Sequence, residues 1–213
     1  MSVHFSAEDF DYPVRELKLG KPESQEWKLF VDKNQIKVYA WLDKETGLFQ
    51  WKVFGEIEYE PEVVKKTLMD VDYRKKWDSY VAKIEMLESN NNLDIIYWDV
   101  KYGIPMVSNR DYVYCREFRE VKGEEEEDEY IVILSKTYDS GKELVPPHKN
   151  KVRVEGFKQF MVLKKSKNGT KIYMHSIDRP GGKIPSSLIN WAAKSGIPNY
   201  LGVVAKACQN CPK

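Results

Sequence analysis

With 213 residues, 42% of them hydrophobic and 31% charged, the chain has the material for a folded core and lacks the polar bias of a disordered one. A formal net charge of only +1 argues against the electrostatic capture by which proteins hold nucleic acid, and no apolar run reaches the roughly eighteen residues of a membrane-spanning helix. Aromatic residues make up 13%, including 6 Trp and 13 Tyr, a rich stock of large, semi-polar side chains for lining a pocket.

The first residues, Met1 to Val14, show neither the basic start nor the apolar centre of a signal peptide. Together with an odd set of cysteines, Cys115, Cys208 and Cys211, this predicts a reducing, cytoplasmic setting. Phe5 to Leu17 reads as a short amphipathic helix with Ser6 as its N-cap. Strand patterns follow at Trp27–Val31, Gln35–Leu42 and Leu48–Ile57, the last two joined by the polar turn Asp43 to Gly47. Pro61 opens a helix through Met69, and Asp72 is placed to cap a second one through about Tyr80. Six more strands are expected at Ala82–Glu88, Asp94–Lys101, Asp111–Val121, Tyr130–Thr137, Val152–Leu163 and Lys171–Ile177. Asn168-Gly169 reads as a hairpin turn, and the acidic run Glu124 to Asp128 as a solvated hairpin tip.

The last element is unusual. From Pro185 to Cys208 a helix is predicted whose apolar residues, among them Leu188, Trp191, Tyr200, Leu201 and Val204, cannot share one narrow seam. Gly196 and Pro198 give it a place to bend. The whole is an α+β chain of one domain, residues 1 to 213. Its many sequential strands form a curved antiparallel sheet, and the terminal helix packs on one face. Such a sheet encloses space, filled either by side chains or by a ligand.

Several strings in this order resemble the START lipid-transfer domain: Trp51 to Gly55 (WKVFG), Met69 to Asp78 (MDVDYRKKWD), Ser108 to Tyr112 (SNRDY) and Asn190 to Lys194 (NWAAK). The resemblance runs from about Trp27 to Gln209. It implies a helix-grip fold, in which the sheet grips the C-terminal helix around a tunnel for one lipid. It also implies a carrier of phospholipid, phosphatidylcholine first, that touches membranes transiently and does no covalent chemistry. A container is physically needed: two acyl chains hold roughly 30 methylenes, and exposing them to water costs on the order of 25 kcal/mol.

Arg74 and Asp78 lie four apart on a predicted helix, a spacing that by itself reads as an exposed ion pair worth a few tenths of a kcal/mol. By resemblance they bind the lipid phosphate, a task that suits the planar guanidinium fork. Trp98, Tyr112 and Phe157 lie on three predicted strands, where a lone aromatic ordinarily packs a core. By resemblance they form a cage for a choline group, whose quaternary nitrogen has no N–H and so favours ring faces. Phe157 departs from a tyrosine in the family pattern, and Leu68 from an aromatic near the phosphate; Gln159 keeps its match and would reach an ester or glycerol oxygen. The loop Lys101 to Ser108, with Ile104, Met106 and Val107, is either a packed turn or the second wall of a gate facing Trp191, Tyr200, Leu201 and Val204.

Cys208 and Cys211 form a C-x-x-C with no second cluster to complete a metal site, and His4, His148 and His175 are scattered. No phosphate-binding loop, dinucleotide fingerprint or nucleophile elbow is present. The expectation is therefore a monomer with no metal, no cofactor and no catalytic set. Three alternatives stay open: a carrier of sterol, carotenoid or ceramide; an enzyme, since helix-grip folds include cyclases and aromatases; and a lipid-sensing module that acts through a protein partner.

Overall fold

The computed structural model describes residues 4–33, 35–45, 48–101, 107–123, 128–179, 181 and 197–212. Helix α1 (Ala7–Leu19) starts at Ser6, as its sequence predicts. The Ser6 hydroxyl accepts from the Asp9 amide, and the Asp9 carboxylate accepts from the Ser6 amide in return. Gly20, at φ 65°, ends it in the left-handed region that a side chain would disfavour.

Strands β1 (Lys28–Lys33), β2 (Ile36–Asp43) and β3 (Leu48–Ile57) follow. Helix α2 (Pro61–Met69) begins on its proline. Helix α3 (Val71–Trp77) corrects one expectation: its cap is Asp70, whose carboxylate accepts from the Tyr73 amide at 2.8 Å. Asp72 instead pairs with Lys75 on the surface, and the helix ends at Trp77, short of Tyr80.

The remaining strands are β4 (Val81–Asn90), β5 (Leu93–Val100), β6 (Asn109–Lys122), β7 (Glu129–Thr137), β8 (Lys151–Arg153), β9 (Lys158–Ser166) and β10 (Gly169–Ile177). The single strand expected over Val152–Leu163 is in fact two. β8 pairs parallel with β6, the chain turns through Gly156, and β9 pairs with β7 and β10. A one-turn helix, α4 (Gly141–Leu144), is too short to carry a periodic signal. Helix α5 (Ile197–Gln209) falls in the region where the terminal helix is expected; residues 182 to 196, with Trp191 and Gly196, lie outside the described residues.

The strands form one sheet in the order β1-β2-β3-β10-β9-β7-β6-β5-β4, with β8 beside β6. Side chains alternate across it, so the sheet has two faces. The outer face is covered by α1, whose Phe10 and Val14 pack with Leu134, Phe160, Val162 and Tyr173. A buried Lys52–Glu16 ion pair at 2.8 Å joins α1 to β3 on that side. The inner face is covered by α2 and α5, with Val64, Leu68, Leu201 and Val204 in one core cluster with Val53 and Met174. Gly55 on β3 lets α5 come close, since a Cβ there would stand 2.6 Å from Leu201 Cδ1.

Candidate functional site

Cross-strand register arranges the inner face in rungs about 7 Å apart. One rung is apolar: Val53, Met174, Met161, Ile133 and Phe118 are successive partners from β3 to β6. The next is largely polar: Ser176, Gln159, Ser135, Arg116 and Asp94 follow one another from β10 to β5. Beyond it Tyr114 partners Ile96, and Tyr112 partners Trp98. A cavity of about 200 Å³ spans these rungs, from Met161 and Ile133 past Gln159 and Ser135 to Tyr114, Trp98 and Phe157; Leu68, Met69, Arg74 and Tyr200 close it from the helices.

Arg74 is not the exposed ion pair that spacing alone suggests. Its Nε donates to Asp78 Oδ2 at 3.0 Å, with side-chain exposures of 15% for Arg74 and 6% for Asp78. Its guanidinium lies 4.5 Å from the centre of the Trp98 ring. Burial opposes the charge, but Tyr200, Tyr114 and Asp78 more than offset this and raise the arginine pKa above its ordinary value. A buried guanidinium with one edge committed to a carboxylate has donors left for an anion in the cavity.

The aromatic residues are brought together, with two changes from expectation. Trp98 stacks on Tyr112 at 5.2 Å, and the edge of Phe157 meets Tyr112 at 5.4 Å. Tyr112 lies behind this group, while Tyr114, 5.6 Å from Phe157, lines the cavity. Phe157 stands in the segment before β9 and not on a strand, its backbone N–H donating a hydrogen bond to Thr137 Oγ1 at 3.0 Å. The Trp98 indole N–H is buried and has no partner among the described residues, a donor on a ring that borders the cavity. Gln159 donates to Ser176 Oγ at 3.0 Å, and Leu68 is buried in the wall.

Several residues of the wall escaped the sequence, two of them on β6. Tyr114 and Arg116 follow Tyr112 on alternate positions of β6, and strand periodicity was the signal that would have found them. Arg116 donates to Asp94 at 2.7 Å and to the Met69 carbonyl at 2.8 Å, tying the end of α2 to the polar rung.

Comparison with known proteins places this architecture. The START domain model matches residues 11–213. The human phosphatidylcholine transfer protein is 41% identical over 208 residues, 97% of this chain and 94% of that one. Its mouse counterpart is 39% identical over 211 residues, covering 98% and 96%. The chain belongs to the START domain family. The crystal structure of human STARD10 superimposes with a TM-score of 0.79 at 21% identity, over 97% of this chain and 81% of that one, and shares the fold.

Of the gate residues expected for this START domain, Ile104, Met106 and Trp191 lie outside the described residues. Val107 is half-buried, and Tyr200 borders the cavity with its ring 6.4 Å from Trp77. Leu201 and Val204 are buried in the inner core, whereas Val203 is 43% exposed. Among the described residues no group of three His, Cys, Asp or Glu side chains is arranged to hold a metal, and no helix is long and apolar enough to cross a membrane. Burial raises the Cys208 thiol pKa, the opposite of what a reactive cysteine needs.

Proposed function

We propose that this START domain carries one phospholipid at a time, phosphatidylcholine, between membranes. The observation that carries the reading is the Arg74–Asp78 pair, buried at the cavity wall against the Trp98 ring. An arginine offers phosphate a bidentate fork, and the adjoining rings offer a quaternary ammonium their faces. The order of the rungs supports the same reading. Apolar Ile133 and Met161 suit acyl chains, Gln159 and Ser135 suit ester oxygens, and the aromatic end suits the headgroup.

In this scheme phosphate takes the free edge of Arg74 while Asp78 keeps the fork oriented. The ammonium takes over the Trp98 face that the guanidinium now covers, so headgroup entry displaces an internal cation. The described cavity of about 200 Å³ is below the 300–1,000 Å³ typical of drug-sized ligands, so loading widens the space between sheet and helices. Helix α5 is the movable cover, and its exposed Val203 and Lys206 meet the membrane. The chemistry is binding and release, with no bond made or broken, in a cytoplasmic monomer.

Incubation with vesicles of mixed lipids, followed by organic extraction and mass spectrometry, tests the reading. One choline phospholipid per chain is expected. Recovery of sterol or ceramide alone would overturn it.

A further inference from the structure

The aromatic end of the cavity contains a group that this scheme leaves unused. Asp178 follows directly on the end of β10. Its Oδ2 accepts a hydrogen bond from the Tyr112 hydroxyl at 2.9 Å. Its Oδ1 is shut off from solvent and has no hydrogen-bond partner among the described residues. Asp178 as a whole is half-buried, and the fully buried aspartates of this region are matched to cations: Asp78 to Arg74, Asp94 to Arg116, Asp111 to Arg153 and Asp99 to Lys151. Among the described residues Asp178 has no ion-pair partner within 4.0 Å. Burial raises its pKa to about 6, against the lowering effects of the Tyr112 bond and of Arg110.

A carboxylate held away from water without a full set of partners is costly, and the cost is offset where a positive group arrives. Asp178 is joined to such a place. The ring that it holds stacks on Trp98 at 5.2 Å and meets Phe157 at 5.4 Å. A phenol that donates to a carboxylate is also richer in electrons, and Tyr112, behind the cavity wall, adds that negative potential to the Trp98 ring stacked on it, which borders the cavity. We propose that Asp178 is the anionic backing of the headgroup subsite, a positioning residue that orients Tyr112 and makes the aromatic end select lipids whose headgroup carries a positive charge. The inference rests on the phospholipid reading above and adds a determinant of headgroup choice.

Vesicles with equal parts phosphatidylcholine and phosphatidylglycerol test it, since the headgroups beyond the phosphate are cationic in one and neutral in the other. Lipid captured by the full chain is extracted and its choline-to-glycerol ratio measured by mass spectrometry. In Asp178→Asn the ratio is expected to fall about tenfold, with total bound lipid kept and thermal stability no lower than in the parent. In Tyr112→Phe, which keeps the carboxylate but cuts its bond to the ring, a fall of about threefold is expected, and this variant carries the test if Asp178→Asn does not fold. A parent that prefers choline lipid beside a variant with the same ratio overturns the inference and leaves the carrier function standing. A parent that captures neither phospholipid overturns both. A folded Asp178→Asn that loses both lipids equally marks Asp178 as a purely structural residue and overturns the inference alone.

Discussion

Arg74 has two partners of opposite kind, the Asp78 carboxylate and the Trp98 ring face. Arg74→Ala removes both contacts and leaves Asp78 buried without its cation, which is expected to cost about 3–5 kcal/mol and to reduce transfer further still. Arg74→Lys keeps a charge but loses the planar fork, so transfer should recover only in part; vesicle-to-vesicle transfer assays beside urea denaturation separate the two effects. Trp98→Leu should lower the preference for choline over ethanolamine lipid, each ring face being worth roughly 0.5–2 kcal/mol, and Phe157→Tyr should be tolerated. On the outer face, His175 is held by the Tyr12 hydroxyl at 3.3 Å and Gln50 at 3.2 Å. Burial, with Lys52 and Lys158 nearby, lowers its pKa from 6.5 to about 3. The unfolded chain therefore takes up a proton that the folded chain refuses. The stability from this group is present above pH 6.5 and falls by about 1.4 kcal/mol per unit as pH drops toward 3. Urea denaturation of the parent and His175→Gln at pH 7 and pH 5 should show the parent losing more.

At the level of elements, the contact of α5 with β3 turns on one missing side chain. Gly55→Val should press on Leu201, where even a Cβ comes within 2.6 Å of Cδ1, and cost about 1–3 kcal/mol. Leu201→Ala added to it should restore part of the loss, because the removed volume lies where the new methyls go; non-additive melting temperatures in the double variant check this. How far the sequence spoke can be judged from the same elements. Leu48–Ile57 and Pro61–Met69 were legible to the residue, because strand alternation and an N-terminal proline are local signals. The break between β8 and β9 was not, since apolar residues on both sides of Gly156 read as one run and only pairing to different neighbours separates them. In the site, Arg74 and Asp78 were found by their motif, but their burial comes from elements distant in sequence, which spacing cannot report. Tyr112 is named by its resemblance to the family's cage; Tyr114 lies on the same face of β6, and only the tertiary fold decides which borders the cavity.

At the scale of the whole molecule, the net charge of +1 predicts that membrane adsorption rests on apolar contact. Transfer between neutral vesicles should therefore change by less than about twofold as salt is raised from low to physiological strength, where an electrostatic mechanism would fall steeply. The sheet itself divides the protein by permanence. On one side α1 seals a core of Phe10, Leu134, Val162 and Tyr173 that never meets a cargo. On the other, α5 and the Arg74 wall face the cavity proposed to take up and release the lipid. Amide hydrogen exchange would record this as two clocks in one fold. Protons on β7 and β9 should exchange equally slowly in the empty and loaded states, both strands being anchored from the α1 side, whereas those of α5 should slow on loading. Such a pattern would mean that the carrier is emptied without being unfolded, one half of the fold keeping its shape while the other exchanges its contents.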